Sequence, residues 1–89
     1  MEKTDFGWAL DQLRAGRKLA RQGWTGKGMF LYYVPANSYA PQTDIAKEAF
    51  GGNLVPYGAY VAMKTAQENV VPWLASQTDM LTDDWVVVD

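Results

Sequence analysis

The chain has 89 residues, 48% hydrophobic and 13% aromatic, enough for one domain with a modest core and too apolar for a disordered segment. It contains no cysteine and no histidine, which removes disulfides, thiolate metal sites and every Ser–His or Cys–His nucleophile pair. A formal charge of −2 argues against a nucleic-acid backbone as the main partner, and no apolar run approaches the roughly 20 residues that span a bilayer.

The start, Met1-Glu-Lys-Thr-Asp5, lacks the basic-then-apolar order of a signal peptide. One domain covering 1–89 and working in the cytosol is the expectation. Phe6, Ala9, Leu10 and Leu13 share one helical face. Thr4 or Asp5 can cap that helix, and Gly16 can end it. Trp8 lies off the face and points to a second contact surface. Arg17 to Gln22 is short and basic, a strand or an extended connector. Gly23, Gly26 and Gly28 then mark a turn.

Met29 to Val34 is the clearest strand, closed by Pro35. It is apolar on both faces: Met29, Leu31 and Tyr33 on one, Phe30, Tyr32 and Val34 on the other. Residues 37–53 are the least regular, with about two helical turns over Asp44–Phe50 ended by Gly51-Gly52. Tyr57–Thr65 and Asn69–Leu74 read as two strands joined by a polar turn. Ser76–Asp83 is a polar connection with room for one helical turn, and Trp85–Val88 is a last strand. The fold class expected is α+β, an N-terminal helix on an antiparallel sheet of four to five strands. One helix cannot cover both faces of that sheet, so a homo-oligomer is expected to bury the second.

Two segments carry tryptophan among small and polar residues: Arg21-Gln-Gly-Trp24-Thr25-Gly26-Lys27-Gly28, and Pro72-Trp73-Leu-Ala-Ser76-Gln77-Thr78-Asp79. A tryptophan in such a setting can be a core plug or a flat wall for a planar, polar ligand. Gly23 to Gly28 fails the P-loop pattern: too few residues separate Gly23 from Gly26-Lys27, and no Ser or Thr follows the lysine. It can still cradle one phosphate through backbone N–H groups, or simply form a hairpin turn with a solvated lysine. Glu68, Asp79, Asp83 and Asp84 invite a divalent-metal reading, but their spacing matches no EF-hand loop. Helix and turn capping is the alternative, and Ser76 or Thr78 with Asp79 can cap a short helical turn. No carboxylate pair is framed by a recognisable pocket motif, so enzyme activity has little support.

The order of Phe6-Gly7, then Arg21-x-Gly23-Trp24-x-Gly26-Lys27-Gly28-Met29-Phe30, then Met63-Lys64-Thr65-Ala66 is distinctive. It ends with Val71-Pro-Trp-Leu-Ala-Ser-Gln-Thr-Asp-Met-Leu81 and Asp84-Trp85. This pattern resembles the small phage and prophage family of type-two Thoeris anti-defence proteins, the Tad sponges, over nearly the whole chain. The resemblance implies a homotetramer with pockets between protomers. It implies sequestration, without cleavage, of cyclic nucleotide immune signals in the cytoplasm of an infected bacterial host. The implied ligand is the glycocyclic ADP-ribose of Thoeris; some members also hold CBASS cyclic oligonucleotides in a separate site. Neither a cofactor nor a metal is implied.

Phe6, Arg21, Trp24, Thr25, Gly26, Lys27, Trp73, Ser76, Gln77, Thr78 and Asp79 form the candidate ligand-binding set. Trp24 and Trp73 serve as stacking walls, and Lys27 as the phosphate contact with Arg21 as its substitute. Two other readings remain: a structural or protein-binding phage module without a small ligand, and a cyclic-nucleotide-degrading enzyme.

Overall fold

The computed structural model describes residues 4–24 and 26–88. Helix α1 (Phe6–Arg14) is capped by Asp5, whose carboxylate accepts from the Trp8 N–H at 2.9 Å. Of the two candidate caps, Asp5 takes this role. Thr4 instead bridges to Asp84 and donates its hydroxyl to the Asp83 carbonyl at 2.6 Å. The helix ends at Gly16, where φ is +88° and the N–H returns to the Leu13 carbonyl. That left-handed geometry is open to glycine at little cost.

The chain continues as β1 (Lys18–Arg21), one 3-10 turn (Gln22–Trp24) and β2 (Phe30–Val34). Next come β3 (Asn37–Tyr39), α2 (Asp44–Ala49) and β4 (Val55–Tyr57), then β5 (Tyr60–Lys64) and β6 (Val70–Pro72). It closes with α3 (Gln77–Leu81) and β7 (Trp85–Val88). Five strands form one antiparallel sheet in the order β6-β5-β2-β1-β7, while β3 and β4 make a separate ribbon. The α+β expectation holds, and the Arg17–Gln22 segment proves to be a strand, Lys18–Arg21, inside the sheet between β2 and β7.

The expected strand Tyr57–Thr65 is two strands. Tyr57 pairs with Asn37 in the ribbon, whereas Tyr60 pairs with Val34 in the main sheet. The cause lies in the partner: Pro35 lacks the N–H needed to extend the β2 ladder, so pairing lapses at Pro35-Ala36 opposite Gly58-Ala59 and resumes in the same register as β3 with β4. Asn69–Leu74 likewise shortens to Val70–Pro72. Pro72 sits on the edge strand, where a missing donor leaves no ladder bond unmade.

Strand alternation divides the main sheet. Leu19 faces Leu31, with Val87 and Met63 beyond them in register. Ala9 and Leu13 of α1 close over this row, and with Trp85 they make the buried core. Trp8 is half-buried against the same core despite lying off the main helical face. The opposite face carries Lys18, Ala20, Phe30, Tyr32, Ala62 and Lys64, and α1 does not cover it. The two faces of β2 are therefore assigned: Leu31 looks to the helix, Phe30 and Tyr32 away from it.

Leu31 is fully buried at the centre of the core row. Leu31→Ala should lower the unfolding free energy by about 2–5 kcal/mol, read as a fall in urea midpoint with an unchanged slope. A loss under about 1 kcal/mol would mean that the core does not centre on this row.

Candidate functional site

At the β1–β7 end of the sheet the chain gathers its aromatic residues around Trp85, which is fully buried. Phe6 packs on Trp85 at 5.8 Å between ring centroids. Trp24 meets it edge-on at 5.6 Å and Trp73 edge-on at 6.0 Å. Phe6 also touches Trp73 at 6.2 Å. Trp24 and Trp73 are each half-buried. Each turns an edge to the core ring and keeps part of its surface exposed.

The polar residues are placed by α3. Ser76 and Asp79 form a reciprocal capping box: the Asp79 N–H donates to Ser76 Oγ at 3.0 Å, and the Ser76 N–H to Asp79 Oδ2 at 2.9 Å. The Trp85 indole N–H donates to the Asp79 carbonyl at 3.0 Å, which ties the helix to the aromatic hub. Arg21 stands opposite Trp85 on the neighbouring strand. Its guanidinium reaches Asp84 Oδ1 at 3.0 Å through Nε and Asp79 Oδ1 at 3.1 Å through Nη1. One arginine thus clamps two carboxylates from both ends of the α3–β7 connection.

These contacts set the charge states. Arg21 holds the Asp84 carboxyl below the usual carboxylate range against some desolvation, with help from the Thr82 hydroxyl. Burial pushes Asp79 upward, but hydrogen bonds from Ser76 and Arg21 outweigh it and leave Asp79 lowered as well. Asp84 in return, against desolvation, raises Arg21 further above its ordinary value. Both aspartates are therefore anions at neutral pH. That state suits accepting hydrogen bonds and does not suit donating a proton to a leaving group.

The structure brings Phe6, Arg21, Trp24, Trp73, Ser76 and Asp79 together around Trp85. Gln77 and Thr78 lie exposed on the first turn of α3. Gly26 begins a turn at φ +79°, and Lys27 donates its backbone N–H to the Trp24 carbonyl while its side chain is exposed. Thr25 lies outside the described residues. Arg21, the substitute phosphate contact, already has two carboxylate partners. Asp79 and Asp84 are used as cap and ion-pair partners, and among the described residues no group of acids is arranged to hold a metal ion.

Sequence reasoning gave Lys18, Phe30 and Lys64 no place in the candidate binding set. They line a cleft of ≈ 310 Å³ together with Trp24, Gly26 and Gly28. Strand alternation was the available signal: both lysines and Phe30 fall on the face that α1 leaves open. Asp84 was also missed as a binding partner, since nothing local in the sequence announces its pairing with Arg21, 63 positions away.

This is a small α+β domain whose aromatic hub and clamped acidic pair gather at one end of its sheet. The sequence profile of the Thoeris anti-defense 2-like domain matches residues 4–88, and the chain belongs to that family. It is also similar to a curated protein named Thoeris anti-defense 2 from Bacillus phage SP01. The two are 35% identical over 86 residues, covering 97% of this chain and 96% of the phage protein. No helix among the described residues is long and apolar enough to cross a membrane.

The Arg21 clamp makes stability depend on acid. Because Asp79 and Asp84 have lowered pKa values when folded, their contribution is complete above the ordinary value of 3.8 and fades as pH falls through the folded values. Asp84→Asn should destabilise the protein by about 1–3 kcal/mol at neutral pH, the range for hydrogen bonds to charged groups. The difference from the unmodified protein should shrink in thermal melts only as pH falls below about 3.8, the ordinary carboxyl value. A constant difference down to strongly acidic pH would contradict the clamp.

Proposed function

We propose that this protein is a phage anti-defence sponge. It binds the glycocyclic ADP-ribose signal of Thoeris immunity, releases it unchanged, and acts in the cytoplasm of the infected host. The single observation that carries the reading, beyond family membership, is the pair of half-buried tryptophans, Trp24 and Trp73, both braced edge-on against Trp85. Braced rings lose little further freedom when a base stacks on them, which favours tight binding. Gly26, Lys27, Ser76, Gln77 and Thr78 supply donors beside the two walls. Lys27, exposed in the glycine turn, remains the residue proposed to meet a phosphate. CBASS-type cyclic oligonucleotides are further candidate cargo, held in a separate site.

The assembly proposed is a homotetramer with ligand pockets between protomers. Two features support it. The sheet face bearing Phe30 and Tyr32 lacks the α1 cover of its counterpart. The ribbon and α2 expose Tyr39, Ile45, Phe50, Leu54 and Tyr57. Clusters of large apolar side chains on one extended arm are a usual mark of association.

A binding experiment with a heat step tests the sponge. Protein is incubated with glycocyclic ADP-ribose, titrated by calorimetry, then denatured, and the ligand is recovered. Full recovery of intact ligand is expected; hydrolysed ligand would establish an enzyme, and no binding would leave the structural-module reading. In the same assay Trp73→Ala should weaken binding by roughly 1–3 kcal/mol, the worth of one base stack. Because Trp73 also packs on Trp85, circular dichroism must accompany it, and an unfolded variant would make Trp73 a core plug.

Tyr32→Glu places a carboxylate on the open sheet face, where burial against a second copy would cost several kcal/mol. It should yield a smaller species in sedimentation that has also lost the ligand. A folded monomer with full affinity would put the site inside one chain.

A further inference from the structure

The turn that follows Trp24 and carries Lys27 has little of its own to hold it. Gly26 and Gly28 both sit at positive φ, +79° and +74°, and the Lys27 N–H reaches the Trp24 carbonyl at a long 3.2 Å. Glycines leave such a segment free to sample other conformations. The main sheet ends short of it. The β2–β5 ladder stops at the pair Phe30 and Lys64, and beyond Lys64 the chain folds into the Thr65–Asn69 turn, closed by the Thr65 N–H on the Asn69 carbonyl at 2.8 Å.

The Lys64 side chain continues where the ladder stops. Its ammonium donates to the Gly28 carbonyl at 3.0 Å and to Glu68 Oε1 at 2.8 Å, and it lies 5.9 Å from the Phe30 ring centroid. One cation is thus held by the glycine turn, the start of β2 and the tip of the β5–β6 hairpin. The Glu68 side chain is 75% exposed, and exposed ion pairs add little to stability. Yet Glu68 is kept at φ +68°, a region natural to glycine or asparagine and uncommon for glutamate. Its N–H donates to the Thr65 carbonyl at 3.1 Å, which fixes it in that shape. Backbone strain without a matching gain in stability marks a position with a task.

We infer that Lys64 and Glu68 are positioning residues for the ligand site. Glu68 aims the Lys64 ammonium, and Lys64 pins the Gly28 carbonyl. The pinned turn then presents Trp24 and Lys27 in one arrangement before any ligand arrives. Ordering the turn in advance removes a cost that ligand binding would otherwise bear. The consequence for affinity rests on the sponge reading, whereas the brace on the turn does not.

Amide hydrogen exchange of the ligand-free full chain reads the brace, and calorimetry with glycocyclic ADP-ribose reads its effect on the site. Lys64→Met keeps the apolar stem and loses the bonds to Gly28 and Glu68. Exchange at the Lys27 amide should quicken about threefold or more. Affinity should fall about three- to tenfold, the cost of ordering one flexible segment on binding. The loss should persist at high salt, because a short hydrogen bond to a carbonyl is screened little. Lys64→Arg keeps donors for both oxygens and should stay within about twofold of the unmodified protein.

Glu68→Gly separates positioning from stability. It removes the carboxylate and relaxes the backbone, so the melting temperature should stay level or rise while Lys27 exchange quickens and affinity falls. Tighter binding in Glu68→Gly would mean that the glutamate competes with the ligand for Lys64, and would overturn the brace. Lys27 exchange unaltered in Lys64→Met would overturn it as well. Faster exchange with unaltered affinity would make the pair a hairpin staple and end the positioning role. If glycocyclic ADP-ribose does not bind the unmodified protein, the sponge reading fails, and the exchange rates still decide the brace.

Discussion

Everything distinctive about this end of the protein depends on burying one indole. Trp85 is the largest fully buried side chain, and full burial of a ring that size requires a partner for its N–H. The Asp79 carbonyl supplies that partner and thereby fixes α3 against the sheet. With α3 fixed, the Asp79 carboxylate meets Arg21, and Arg21 also takes Asp84 next to Trp85 itself. Phe6, Trp24 and Trp73 come from three distant segments and all pack on this ring. Remove the indole and those three side chains lose their common contact.

The charges are sorted in the same way. On the helix-bearing face, one arginine is matched by two carboxylates, and all three are held in their charged forms. On the open face, two lysines share one phenyl ring and a single exposed glutamate. A net charge of −2 averages over this separation and conceals it.

Much of the fold was legible because the governing signals are local. The apolar spacing of Phe6 to Leu13, the Ser76-x-x-Asp79 cap and the strand Met29–Val34 each show within a few residues. The division at Gly58 was not legible, because it depends on Pro35 ending the ladder of a strand more than twenty positions earlier. The site was legible in part. Trp24 and Trp73 stand out by their glycine and serine surroundings, and both do meet at Trp85. Lys18 and Lys64 carry no local mark of a site, because their shared ring becomes visible only once β1, β2 and β5 are laid side by side. Asp84 likewise read as a turn residue until its arginine was found across the sheet.

Sequestration by walls braced on Trp85 and shared between copies is the central claim, and native mass spectrometry tests it most directly. The protein would be purified from cells whose Thoeris enzymes are making signal, and its intact assemblies weighed. The account predicts a tetramer that carries additional mass equal to the uncleaved cyclic ADP-ribose isomer, absent from a Trp24→Ala, Trp73→Ala double variant that still folds. An assembly of the same mass with and without signal production would contradict it.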